Sequence, residues 1–211
     1  MKTLYLNSVN STQLYLKELL LNNKVSCPYA VVSDIQTAGI GSRDNSWEGL
    51  RDNLFLSFSI SLLSLPKDLK LESSSIYFSY LLKETLSSLG SNVWLKWPND
   101  FYINDKKIGG MITNVVGDNI VCGVGLNLKN APLNFEVLDI DTDKLVIVEK
   151  YFQNIEKKVL WKQVFSKYKL EFHLNQNFST HIKNKKVNLS EAILENDGSL
   201  NINGQRIYSL R

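Results

Sequence analysis

The sequence predicts a mixed α+β domain, built on a mainly antiparallel sheet with helices packed on it, followed by a small all-β tail. Three observations carry this reading. Helix-patterned stretches alternate with strand-patterned ones along most of the chain. Short turn signals, Asn104-Asp105-Lys106 and Gly117-Asp118-Asn119, sit between consecutive strand-like runs, which makes them hairpins. The last segment changes character, with Asn196-Asp197-Gly198 and Asn203-Gly204 punctuating short β runs.

The elements follow in order. Residues 9–23 read as a helix that Asn10 or Ser11 can cap, with Leu14, Leu19, Leu20 and Leu21 as its apolar face. Residues 29–37 read as a short strand running into a loop. Residues 38–53, AGIGSRDNSWEGLRDN, form a polar, glycine-bearing loop longer than a usual connection, and such loops in compact domains tend to be functional. Residues 54–63 alternate, with Leu56, Phe58, Ile60 and Leu62 on one face and Ser57, Ser59 and Ser61 on the other, as in a half-buried strand. Residues 73–90 are a helix with serine caps at its start and Gly90 at its end. Residues 92–97, 107–116 and 119–128 are strands, 144–171 is mainly helical, and the tail is β. The composition change places a boundary at residue 176, giving a domain over 1–176 and a small one over 177–211.

Composition narrows the function. Among 211 residues the formal charge is +3, too mild to demand a nucleic-acid partner, and the lysine-rich stretches 156–158 and 184–187 read as solvated faces. Cys27 and Cys122 make neither a disulfide framework nor a metal site. No signal-peptide core or bilayer-length apolar run is present, so the expectation is a cytoplasmic protein with no membrane partner. The two histidines, His173 and His181, come late, and no Ser-His-Asp or Cys-His arrangement is evident. Catalysis then rests on cations, amides and bound magnesium, which suits chemistry that stabilises negative charge developing on phosphates.

Four stretches could carry that chemistry. In VCGVGLNL, Cys122, Val124, Leu126 and Leu128 share one face, while Gly123, Gly125 and Asn127 share the other. That second face is either packed closely by backbone or forms a floor for a flat ligand with an amide at its edge. In KIGGMIT the same alternation sets Lys107, Gly109 and Met111 on one side, and an ammonium there needs an anionic partner, structural or catalytic. In KWPND, Pro98 stiffens a corner from which Asn99 and Asp100 project, and Asp100 suits either a magnesium ion or an ion pair. In the loop at 37–47, Gly39 and Gly41 permit close backbone approach, and Arg43 can grip phosphate.

Together these pieces resemble the biotin protein ligases. Lys-Trp-Pro-Asn-Asp at 96–100, Lys-x-Gly-Gly at 107–110 and Gly-x-Gly-x-Asn at 123–127 stand in that family's order. Ser-Thr-Gln at 11–13 is similar to its Ser-Thr-Asn helix start, and the run from Gln36 to Trp47 to its biotin-binding loop. The resemblance implies a class II synthetase-like catalytic domain with a small SH3-like C-terminal domain. It also implies a monofunctional enzyme that converts biotin and Mg-ATP to biotinyl-5′-AMP. The biotin then passes to one lysine of a biotin carboxyl carrier domain of acetyl-CoA carboxylase. The residues implied for biotin are Ser11, Thr12, Gln13, Gln36, Gly39, Ile40, Gly41, Ser42, Lys107, Gly110, Gly123 and Gly125. Those implied for ATP are Arg43, Trp47, Lys96, Asn99 and Asn127, with Lys107 and Arg43 catalytic and Asp100 acting through magnesium or by orienting a lysine. The chain departs from the family pattern at Ile40 and Ser42, where arginines are usual, and at Gln13, where asparagine is. Other readings are a lipoyl or octanoyl transferase of the same fold, a biotin-sensing regulator and a non-catalytic biotin-binding module. With the helix expected to start at residue 11, no preceding DNA-binding domain is expected, and a homodimer stays open.

Overall fold

A computed structural model describes residues 1–42, 45–182 and 185–208. It begins with β1 (Lys2–Leu6), α1 (Thr12–Leu21) and β2 (Tyr29–Ser33), then a two-residue pair, β3 (Gly39–Ile40) and β4 (Ser46–Trp47). After β5 (Leu54–Ser61) and the long helix α2 (Ser74–Ser88) come four consecutive strands: β6 (Trp94–Lys96), β7 (Asp100–Ile103), β8 (Lys106–Val116) and β9 (Asn119–Leu126). Helices α3 (Lys144–Glu156) and α4 (Trp161–Glu171) follow, divided at Lys157–Leu160, where Lys158 takes φ +48°.

Seven strands form one sheet in the order β1-β2-β5-β9-β8-β7-β6. Only β1–β2 is parallel; every other pairing is antiparallel, as the expected hairpins require. The β8–β9 hairpin turns at Gly117, whose φ of +54° is one that glycine adopts without strain. Both faces of the sheet are covered. Helices α2, α3 and α4 bury one face in the large core, where Leu54, Leu56, Phe58, Ile60, Cys122, Val124 and Leu126 pack. Helix α1 covers the other, around Leu16, Val31 and Val121. The serine side of β5 is therefore buried rather than half-exposed, because α1 lies over it. Ser57 bonds to Thr12 of α1, and Ser59 bonds to the Tyr29 backbone.

Ser73 precedes α2 without capping it; its hydroxyl donates instead to the Asp197 carbonyl of the C-terminal segment, 2.6 Å away. That segment holds the hairpin β10 (Ser179–Ile182) and β11 (Lys185–Asn188) and the three-stranded sheet β12 (Ile193–Leu194), β13 (Leu200–Ile202) and β14 (Gln205–Ile207). Leu189, Leu194, Leu200 and Ile202 join the large core. Three successive carbonyls of its turn accept buried donors from three elements: Asn196 from Trp161 Nε1, Asp197 from Ser73 Oγ and Gly198 from Trp97 Nε1. The fully buried Trp97 thereby fixes the corner from which Asn99 and Asp100 project.

Candidate active site

The floor of the candidate site is the glycine face of β9. Gly123 and Gly125 line a cleft between the sheet and the N-terminus of α1. A Cβ on Gly123 would lie 2.5 Å from Gln13 Oε1, and one on Gly125 would lie 2.5 Å from Trp47 Cε2, so a side chain at either place would fill the cleft.

The neighbouring strand corrects a phase. Simple alternation joins Lys107 to Gly109 and Met111. In the structure Phe101 pairs with Gly109 but Tyr102 with Lys107, so Ile108 is an extra residue, a β-bulge. The phase flips there, and Lys107 shares the cleft face with Gly110: its Nζ lies 3.5 Å from where a Gly110 Cβ would stand. Gly109 faces the Gly125 carbonyl and Leu126, and the Met111 side chain enters the large core.

One end of the cleft is neutral and rich in hydrogen bonds. Ser11 caps α1, accepting from Leu14 N. Gln36 Oε1 accepts from the Thr12 amide at 2.8 Å and the Thr12 hydroxyl at 3.0 Å, and Thr12 Oγ1 accepts from Ser57 at 2.9 Å. Gln13 Nε2 donates to Asn114 Oδ1 at 3.1 Å and Val121 O at 3.2 Å. This anchors the amide and aims Oε1 over Gly123, where it is buried and has no hydrogen-bond partner among the described residues. A buried acceptor without a donor is costly, and one that faces a cleft can accept an N–H or O–H from whatever enters it.

The other end is cationic. Lys107 Nζ donates to Asp100 Oδ1 at 2.6 Å, and Lys96 Nζ stands 3.8 Å from Asp100 Oδ2. Asn99 ties the corner down through its carbonyl, which accepts from Met111 N, and its amide, which donates to Met111 O. Tyr102 lies beneath Lys96; burial, and then the nearby Asp100 carboxylate, push its phenol far above the ordinary range, so it stays neutral.

The loop at 38–53 closes the third side. Within it β3 and β4 pair, Gly39 with Trp47 and Ile40 with Ser46. Trp47 lies across Gly125, with the Lys107 ammonium 6.0 Å from its ring and Phe135 edge-on at 6.4 Å. Its Nε1 is buried and unpartnered among the described residues. With the indole there the open cavity is about 40 Å³, far below the several hundred Å³ typical of small-molecule sites.

Of the residues anticipated from sequence, Ser11, Thr12, Gln13 and Gln36 line the cleft at the neutral end, and Ile40, Gly41, Ser42 and Trp47 line it from the loop. Asn99, Asp100, Lys107, Gly110, Gly123 and Gly125 complete the wall and floor. Three do not line it. Gly39 packs on the Trp47 carbonyl, Lys96 lies behind Asp100, and Asn127 turns its amide to the Glu136 carbonyl. Arg43 lies outside the described residues. Ser57 and Ile112 also line the cleft; the row of serines on one face of a strand was the available signal for Ser57.

The donors do not make a protein-held magnesium site. Asp100 is the one carboxylate at the cleft among the described residues, and ammonium groups stand at both its oxygens. No group of three or more His, Cys, Asp or Glu that could hold a metal occurs among those residues. Asp100 faces two ammonium groups, the partners that its lysine-orienting role would need.

Comparison with known proteins places the site in context. The model of the biotin/lipoate A/B protein ligase family matches residues 5–127. The bifunctional ligase/repressor BirA of Bacillus subtilis is 30% identical over 151 residues, 66% of this chain and 45% of that protein. The biotin–[acetyl-CoA-carboxylase] ligase of Mycobacterium tuberculosis is 27% identical over 121 residues, 55% of this chain and 44% of that protein. The chain thus spans less than half the length of these curated relatives. Among solved structures, the biotin acetyl coenzyme A carboxylase synthetase of Helicobacter pylori with bound biotinylated ATP superposes with a TM-score of 0.94 at 40% identity. That match covers 98% of this chain and 99% of the other. The biotin protein ligase of Aquifex aeolicus in complex with biotin and ATP, at 22% identity, shares the fold with a TM-score of 0.78 over 100% and 96% of the chains.

Proposed function

The chain belongs to the biotin/lipoate A/B protein ligase family, and from that premise we propose that it is an ATP-dependent biotin protein ligase. The observation that carries the reading is a two-ended cleft: a neutral end with one waiting acceptor, Gln13 Oε1, a bare glycine floor, and a lysine–aspartate–lysine end. A ureido head placed at the neutral end offers the N–H that Gln13 needs, while Thr12, Gln36 and Ser11 surround it. The valeryl chain runs along Gly123 and, once the Trp47 indole that covers it here has swung aside, along Gly125, and the carboxylate reaches Lys107.

In the first step a biotin carboxylate oxygen attacks the α-phosphorus of ATP. The new O–P bond forms as the bond to pyrophosphate breaks, giving biotinyl-5′-AMP. Lys107 draws the two anions together, and Asp100 holds that ammonium at the cleft wall. In the second step the amine of an acceptor lysine attacks the acyl carbon, AMP leaves with the bonding pair, and the amine loses its proton. The acceptor is a biotin carboxyl carrier domain of acetyl-CoA carboxylase. Magnesium enters with the nucleotide as the counter-ion of its phosphates. Asn99 and Trp47 flank the nucleotide half, and Arg43, on the same loop, supplies a further cation. Lys96 acts through Asp100, and Asn127 through the segment at Glu136, which is bonded to the Lys107 backbone.

The lipoyl or octanoyl alternative is disfavoured at Gln13. A dithiolane or alkyl chain donates no hydrogen bond, and leaving a buried acceptor unpaired costs about 1–3 kcal/mol. Biotin-dependent exchange of pyrophosphate into ATP tests the proposal. Exchange with biotin, and none with lipoate or octanoate, is the expected result; exchange with octanoate alone would replace it. Among the described residues no helix is long and apolar enough to cross a membrane, and the expectation of a cytoplasmic enzyme without nucleic-acid partners stands with the proposal.

A further inference from the structure

We infer that Asn53, which does not line the cleft, is a positioning residue for its nucleotide half; the inference rests on the function proposed above. Asn53 is fully buried. Its Oδ1 accepts from three successive amides, Leu128 at 2.8 Å, Lys129 at 3.2 Å and Asn130 at 3.3 Å. Its Nδ2 donates to the Asn130 carbonyl at 2.7 Å. Asn130 returns a bond from its own amide to the Arg51 carbonyl. One side chain thus ties the turn that leaves β9 to the end of the loop that bears Trp47.

What that turn launches is a segment that does not line the cleft but roofs two residues that do, Lys107 and Trp47. The chain from Lys129 comes back to the backbone of Lys107 and is pinned there by Glu136 N to Lys107 O at 3.0 Å and Leu138 N to Asn127 O at 2.8 Å. Asn127 Nδ2 closes the ring on the Glu136 carbonyl. Phe135, carried between these ties, sets its edge against Trp47. The roof therefore has two anchors, and Asn53 makes the one at its start. Loss of that anchor leaves three amides without their acceptor and frees the roof where Lys107 and Trp47 meet the nucleotide. The neutral end, held by α1 and β5, does not depend on it.

The test compares Asn53→Ala and Asn53→Asp with wild type in biotin-dependent pyrophosphate exchange. Amide hydrogen exchange of residues 128–138 is read by mass spectrometry alongside. Asn53→Ala is expected to raise KM for ATP about tenfold, the effect of losing about one net hydrogen bond's worth of roof order. KM for biotin should stay within about twofold, and the 128–138 amides should exchange faster. Asn53→Asp keeps the three-amide acceptor and loses only the donor, so it should fall between Ala and wild type. A wild-type KM for ATP in Asn53→Ala, or an equal rise in both KM values, overturns the inference. If Asn53→Ala does not fold, Asn53→Asp decides: a raised KM for ATP alone supports the role, and wild-type values overturn it. If wild type shows no biotin-dependent exchange, the functional reading fails instead. The hydrogen-exchange comparison then judges the anchor by itself, and unchanged protection of 128–138 refutes it.

Discussion

Replacing Gly123 by alanine adds one methyl group at the most constrained point of the cleft. The new Cβ would stand 2.5 Å from Gln13 Oε1 and 3.3 Å from Ile112 Cγ1. The first distance is about 1 Å short of ordinary van der Waals contact. Gln13 cannot retreat freely, because its Nε2 is held by Asn114 and Val121 O. Either the methyl occupies the space of the ligand's donor, or Gln13 surrenders one anchoring bond as it swings away. Each route removes one hydrogen bond and leaves a polar atom unpaired, worth about 1–3 kcal/mol, or about 5- to 150-fold in biotin affinity. The fold should survive, since Gly123 faces the cleft while Cys122 and Val124 fill the core, with a melting point lowered only by the strain that the methyl puts on Gln13 and its anchoring bonds. Calorimetric titration of biotin into Gly123→Ala, beside a thermal melt, reads both quantities. A folded variant with wild-type affinity would refute the placement of the ligand over Gly123 and the role of Gln13 Oε1.

Lys107→Ala should lower adenylate formation about 10²- to 10³-fold, as expected for a cation lost from developing phosphate charge. The melting point should shift little, because a partly exposed pair such as Lys107–Asp100 contributes about 0–1 kcal/mol; exchange kinetics and a melt together check this. Arg43→Ala should leave biotin affinity unchanged and speed the loss of preformed biotinyl-AMP, which stopped-flow fluorescence of Trp47 measures; an unchanged off-rate would exclude the assignment. Burial alone would raise the Asp197 carboxyl, but hydrogen bonds from Ser199 and Arg206 outweigh it and hold the group below the ordinary range. Its folded pKa is depressed, so its stabilisation is present at neutral pH and lost as pH falls through that lowered value. Asp197→Asn should therefore flatten the acid limb of a melting-temperature profile, and an unaltered limb would refute the linkage.

Much of the architecture was legible because its signals are local. The turns at 104–106 and 117–119 dictate antiparallel neighbours, and the alternation Cys122-Gly123-Val124-Gly125 separates a core face from a bare one with no knowledge of the rest. The strands at Lys2–Leu6 and Asp100–Ile103 are too short to show a period. The phase of Lys107 was hidden for another reason: a bulge inserts one residue at Ile108, and a period-two argument carried across it exchanges the faces. The serine face of β5 read as solvent-facing because nothing within 54–61 announces that α1 will cover it. Ser73 looked like a helix cap until its partner proved to be Asp197, 124 positions away in sequence. The roof was out of reach for the same reason, since Asn53 and Leu128 meet only through the β5–β9 pairing.

The most direct test of the central claim is one mass spectrum. Wild-type protein is incubated with biotin, Mg-ATP and a biotin carboxyl carrier domain, with Lys107→Ala as the matched control. The account requires one biotinyl group on a single lysine of the carrier, dependent on ATP and nearly absent with the variant. An unmodified carrier in the presence of folded, biotin-binding wild-type protein, or a carrier modified equally well by Lys107→Ala, would contradict it.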